Sequence, residues 1–249
     1  MKSYQDINKE TIDGWVEEGW EWSKPISHDE YISAKNGDWN VFLTPTVPVP
    51  HEWLGDLKGK KILGLASGGG QQMPIFNALG AECTVLDNSP KQIESEFLVA
   101  EREGYTIKAI EGDMTKALPF EDETFDIVFH PVSNCYVEDV EPIFNEAYRV
   151  LKKGGIFLAG LNNEINYIVD NEEKEIIWKM PFNPLKDKAA KDFMIKENAG
   201  MQFSHNMTEQ IGGQLKAGFT LLDIYEDTNG FGRLHELNIK TYIATKSVK

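Results

Sequence analysis

Between Lys60 and Gly160 short apolar runs alternate with stretches whose apolar residues recur three and four apart. The runs at 61–65, 82–87, 106–111, 125–130 and 156–161 read as strands, since each is brief and bounded by turn or polar residues. The intervening stretches read as helices. One opens near Pro74, turns Ile75, Phe76 and Leu79 inward and stops at Gly80. A second begins with the capping box Ser89-Pro90-Lys91-Gln92, buries Ile93, Phe97 and Ala100, and stops at Gly104. Pro142 sits in the first turn of a third, where its missing N–H costs nothing. Such alternation predicts a parallel sheet with crossover helices.

The flanks follow other rules. Residues 163–205 break the rhythm and read as a helical insertion. Asn206-Met207-Thr208-Glu209 is then a capping box leading into Ile211, Leu215 and a stop at Gly218, with strands expected at 219–226 and 239–245. Between those strands, Arg233 and His235 either reach the mouth of a pocket or lie in a surface hairpin loop. Residues 1–55 are expected to form a cap or lid, and 56–249 the core. Asn8 is placed to cap a helix carrying Ile12, Trp15 and Val16 and ending near Gly19. Pro45, Pro48 and Pro50 force an extended strap into the core. Trp15, Trp20, Trp22 and Trp39 either pack the cap or wall a substrate site suited to a cationic amine. Tyr4, His28 and Tyr31 are the further polar-capable residues there.

The junction of the first strand and helix carries the strongest chemical signal. Leu65-Ala66-Ser67-Gly68-Gly69-Gly70-Gln71 lets backbone approach a ligand closely. The helix start beyond it offers free N–H groups and a positive dipole end. Asp87, closing the second strand, stands where doubly wound folds hold a ribose. A dinucleotide fingerprint would need a small residue where Met73 stands, and a P-loop would need Gly-Lys-Ser/Thr after the glycines.

Five blocks in series resemble the class I S-adenosylmethionine-dependent methyltransferases of the small-molecule, methyltransferase 11 type. They are the glycine loop 65–70; Asp87; Glu111-Gly112-Asp113-Met114 with Leu118-Pro119-Phe120; 123–129; and Tyr148 to Gly155. The resemblance implies a doubly wound, Rossmann-like α/β fold. Its sheet has seven strands, mostly parallel, with an antiparallel last strand. It implies S-adenosylmethionine as cofactor and a small molecule as methyl acceptor. Ala66, Ser67, Gly68, Gly69, Gly70 and Gln71 would cradle the cofactor, with Asp87, Asn88 and Gln92 beyond them. Asp113 would accept from the adenine amino group and Met114 donate its backbone N–H, beside Gly112. The loop from His130 and Pro131 to Asn134 and Tyr136 would run beneath the cofactor toward the transferring methyl. His130 is a candidate general base or a structural histidine, and Tyr136 orients substrate or packs. Three departures stand out: Gly64 replaces the family's acidic residue, Ala66 a glycine, and Asn88 an apolar residue. The rival functions are a non-catalytic cofactor-binding protein and, disfavoured by Met73, an oxidoreductase on the same fold.

Composition adds exclusions. The 249 residues carry a net charge of −15, with no Lys/Arg-rich run to neutralise phosphates, so no nucleic-acid partner is expected. Two cysteines and five scattered histidines give neither disulfide framework nor metal spacing. No signal segment or membrane-length apolar stretch is present, so the expectation is a cytoplasmic monomer or homodimer.

Overall fold

The computed structural model describes residues 2–249. Seven strands form one sheet: β1 (Lys61–Leu65), β2 (Glu82–Asp87), β3 (Lys108–Glu111), β4 (Phe125–His130), β5 (Leu151–Asn162), β6 (Thr220–Asp227) and β7 (Tyr242–Val248). Their order is β3-β2-β1-β4-β5-β7-β6, and β7 runs antiparallel to both its neighbours. The helices are α1 (Tyr4–Glu17), α2 (His28–Lys35), α3 (His51–Leu54), α4 (Gln72–Ala78), α5 (Pro90–Glu103), α6 (Glu141–Val150), α7 (Ile165–Ile168), α8 (Lys188–Lys196), α9 (Met207–Ala217) and α10 (Gly232–Glu236).

The period of two along each strand explains the layers. Ile62, Ile127, Phe129 and Leu158 face one cluster, with Met73 and Phe76 of α4 and Ile93 and Val99 of α5. Leu63, Val128, Phe157 and Ala159 face the other, with Ile143, Phe144 and Ala147 of α6. A third cluster joins Cys135, Tyr167, Phe182, Met194 and Phe203, with Tyr4 and Ile7 of α1 packed on it. No described helix is long and apolar enough to cross a membrane.

Several local expectations change. α1 starts at Tyr4 under a Ser3–Asp6 capping box, so Asn8 lies inside the helix and is buried. On α5 the expected capping box is only half made: Ser89 accepts from the Gln92 N–H, but its own N–H goes to Asp87 and not to Gln92, and Phe97 points out, 46% exposed. β5 begins directly after α6 at Leu151, and β7 starts at Tyr242 because α10 occupies part of the preceding connection. Between 163 and 205 only α7 and α8 are α-helical.

The N-terminal segment is laid across the strand ends. The Leu43 carbonyl accepts from Val132 N at 3.2 Å. It passes so close to β5 that a Cβ on Gly160 would lie 1.9 Å from the Leu43 oxygen. The Asp227 carboxylate then accepts from the backbone N–H groups of Thr46 and Val47 at 2.7 and 3.0 Å.

Candidate active site

A cavity of about 520 Å³ opens at the C-terminal ends of the strands, under α1 and the strap. Its first half is built on the glycine loop. Ala66 adopts a left-handed φ of 49°, the backbone its glycine-replacing position demands, with its N–H on Leu86 O. Gly68 N donates to Asp87 Oδ2 at 3.0 Å, and a Cβ there would sit 2.7 Å from Gln92 Cβ. Ser89 N donates to Asp87 Oδ1 at 3.0 Å. Burial pushes the Asp87 carboxyl up, opposed by these N–H groups. Ser67 Oγ and Gln92 Oε1 are buried with no partner in the protein, although both residues line the cavity. Unmet buried polar atoms at a small-residue loop fit a polar, nucleotide-like ligand.

Of the expected cofactor residues, Ala66, Ser67, Gly68, Gln71, Asp87, Asn88, Gln92, Gly112, Asp113, Met114 and Pro131 line the cavity. Gly69 and Gly70 do not; they shape the loop behind it. Their φ values are 103° and 70°, and their N–H groups donate to Gln92 O and Glu96 Oε1. Asp113 Oδ1 is taken up by the N–H and hydroxyl of Thr115 at 2.8 and 2.7 Å. Gln71 Nε2 donates to the carbonyls of Glu21 and Lys24, and Asn88 Nδ2 to that of Gln5, so both bind the N-terminal segment.

The missing acid at Gly64 has a structural counterpart. The Met73 side chain fills the space: a Cβ on Gly64 would lie 3.0 Å from its sulfur. Behind the glycine loop, off the cavity wall, lies a carboxylate of α5. Glu96 is fully buried and accepts the Gly70 N–H at 2.8 Å, and its other oxygen has no partner. Burial pushes this carboxyl up to about 8.

His130 is not on the cavity wall. It is buried, with Nδ1 2.8 Å from Leu65 O and Nε2 2.8 Å from Asn134 Oδ1, and desolvation lowers its pKa. It ties the end of β4 to the end of β1, and neither nitrogen is free to take a substrate proton. Tyr136 does line the cavity, and burial pushes its phenol well up, so it remains a donor.

Trp20 and Trp22 line the cavity, whereas Trp15 packs behind against Trp20, centroids 4.9 Å apart. Trp39 stacks on His51 at 3.8 Å instead. Arg233 pairs with Glu236, and His235 hydrogen-bonds the Thr228 hydroxyl. Asn229 and Phe231 of the same connection reach the cavity in their place.

The second half of the cavity escaped the sequence reading. Asn162 at the end of β5, Asn166 and Tyr167 of α7, Gln202 and Tyr242 contribute neutral polar groups to the cavity wall, which also carries the Glu173 carboxylate. The available signal was Asn162-Asn163 directly after an apolar strand, where ligands gather in such sheets. Among the described residues no Lys, Arg or His lines the cavity.

The family described as "Methyltransferase domain" matches residues 63–159. An uncharacterized methyltransferase of Bacillus subtilis, YbaJ, is 41% identical over 251 residues, covering 97% of each chain. The sterol 24-C-methyltransferase ERG6B of Gibberella zeae is 35% identical over 107 residues, 42% of this chain and 28% of that one. Among solved structures, the geranyl diphosphate C-methyltransferase of Streptomyces coelicolor superposes with TM-score 0.64 at 13% identity, covering 100% of this chain and 98% of that one. An S-adenosylmethionine-dependent methyltransferase of Mesorhizobium loti gives 0.62 at 17% identity, with 80% and 95% covered. The two superpositions speak to fold alone.

Proposed function

Because the chain belongs to the S-adenosylmethionine-dependent methyltransferases, we propose that it methylates a small molecule held in the chamber beyond the glycine loop. One observation carries this: a single cavity runs from the loop, with its unpartnered Ser67 and Gln92 oxygens, into a polar and aromatic chamber. A protein that only bound the cofactor would have no use for that second chamber. The sterol 24-C-methyltransferase named above, similar over 42% of this chain, supports a small-molecule acceptor.

The cofactor supplies an electrophilic sulfonium methyl when bound. The chain's part is to hold, align and keep dry. Asp87 would hold a ribose, and Asp113 and Met114 an adenine; all three line the cavity. Ser67 and Gln92 offer polar atoms to the remainder. The N-terminal segment closes the site: Gln5, Asn8, Ile12, Trp20 and Trp22 contribute to the wall. Asn8 Nδ2 donates to the carbonyls of Tyr136 and Met201 at 2.9 and 3.0 Å, tying this cover to both chambers.

Calorimetric titration with S-adenosylmethionine, S-adenosylhomocysteine and NAD tests the reading. Binding of the first two and not of NAD is expected. Tight NAD binding with no response to S-adenosylmethionine overturns it.

A further inference from the structure

The two glutamines that follow the glycine loop take opposite hydrogen-bonding roles, and each holds a different part of the cover. Gln71 stands at the N-cap of α4, where a short polar side chain ordinarily accepts from the first helical N–H groups. Gln71 makes no such bond. Its Nε2 instead donates to the carbonyls of Glu21 and Lys24, at 2.9 and 3.1 Å. Gln72, the first residue of α4, uses the other end of its amide: its Oε1 accepts from the Phe42 N–H at 2.9 Å. These partners settle both amide orientations, because a carbonyl only accepts and a backbone N–H only donates.

The segments so held are cavity wall. Trp20 and Trp22 flank Glu21, and Phe42 is itself the partner of Gln72; all three line the cavity, as do both glutamines. Between the two ties the glycine loop touches the cover directly. Gly70 O accepts from Ile26 N at 2.9 Å. A Cβ on Gly69 would lie 3.4 Å from Ser23 Cα, and one on Gly70 3.3 Å from Pro25 Cβ. A helix start without its side-chain cap breaks a local rule, and such breaks gather at functional sites. Here the side chain at the capping position is committed to the cover.

Resting on the methyltransferase reading above, we infer that Gln71 and Gln72 are positioning residues of the methyl-transfer site. Gln71, as a donor, sets the wall of Trp20 and Trp22. Gln72, as an acceptor, sets the wall of Phe42. Both walls are thereby fixed against the loop that would cradle the cofactor, and they meet it at one dipeptide. A wall that drifts from the loop admits water and loosens the alignment the site has to supply.

The same substitution at the two positions tests this, because the outcomes should be opposite. Gln72→Glu keeps an acceptor oxygen for the Phe42 N–H. Gln71→Glu removes the donor and sets a carboxylate against two carbonyls. Both add negative charge at the start of α4, where the helix dipole favours it, so a role confined to helix stability would leave the two alike. The full-length protein is followed by amide hydrogen exchange without ligand and by calorimetric titration with S-adenosylhomocysteine, which has no net charge. In Gln71→Glu, exchange over residues 20–26 should rise about tenfold and affinity should fall about tenfold. Gln71→Ala, which deletes the donor without adding charge, should match it. Gln72→Ala should raise exchange over residues 41–44 about tenfold and weaken binding about tenfold, and Gln72→Glu should restore both to within about twofold of wild type. Equal behaviour of the two Glu variants, or wild-type exchange and affinity in either Ala variant, overturns the inference. Failure of Gln72→Glu to fold also overturns it, since the acceptor oxygen is kept. A wild-type protein that binds no S-adenosylhomocysteine, with the exchange pattern as expected, would instead overturn the methyltransferase reading beneath it.

Discussion

The buried carboxyl of Glu96 should write itself into the pH dependence of stability. In an unfolded chain it titrates near 4.5, and in the fold burial pushes it up to about 8. Between those values the folded state holds a proton that the unfolded state has lost. The favourable contribution is full below about 4.5 and is lost as pH rises through about 8. At 1.36 kcal/mol per pH unit across that window, the loss between pH 5 and pH 9 comes to about 4 kcal/mol. Glu96→Gln removes the titration while keeping an oxygen for the Gly70 N–H. Urea unfolding of both proteins at pH 5, 6, 7, 8 and 9 isolates the effect, because every other titrating group is shared. The variant should be level with or below the wild type at pH 5 and gain on it by about 4 kcal/mol by pH 9. Stability curves that stay parallel within about 0.5 kcal/mol would refute the reasoning, by showing that water or a cation reaches the carboxylate.

Gly68→Ala should weaken S-adenosylmethionine binding at least tenfold in calorimetry, since its Cβ would press to 2.7 Å from Gln92 Cβ. Gly14→Ala is its control: nothing lies within 4 Å of that Cβ on α1, so it should stabilise by about 0.5–1 kcal/mol without touching binding. Asn8→Ala leaves Met201 N and the Met201 and Tyr136 carbonyls without their partner, and should cost about 3 kcal/mol in urea unfolding. It should also weaken the protection against hydrogen exchange that cofactor confers on residues 4–24; unchanged exchange there with and without cofactor would contradict closure by this segment.

What the sequence disclosed follows from how local each signal is. The strand at 125–130, the caps at Ser89 and Asn206 and the stop at Gly218 each depend on a few neighbouring residues, and each stands where expected. The glycine loop was legible because a left-handed φ and close approach leave few alternatives to small residues. Glu96 and Phe97 show the opposite case. Ile93, Val99 and Ala100 define the buried stripe of α5, and position 96 falls on it while 97 does not. Residue type suggested the phenylalanine; helical geometry chose the glutamate. Asn162, Tyr167, Gln202 and Tyr242 come from distant segments, and no spacing in one chain announces that they meet. His130 appeared chemical by type, and its environment made it a tie between strand ends.

The strap has a consequence for the order of events at the ribosome. Leu43 to Val47 are made early, yet their partners are Val132, Gly160 and Asp227. The last of these lies 181 residues beyond Thr46. Synthesis at roughly 5–20 residues per second leaves the segment waiting about ten seconds or more for that carboxylate. The strap over the site is therefore translated well before the last of its partners, so a nascent chain can complete its central strands before this cover of the cavity is held in place.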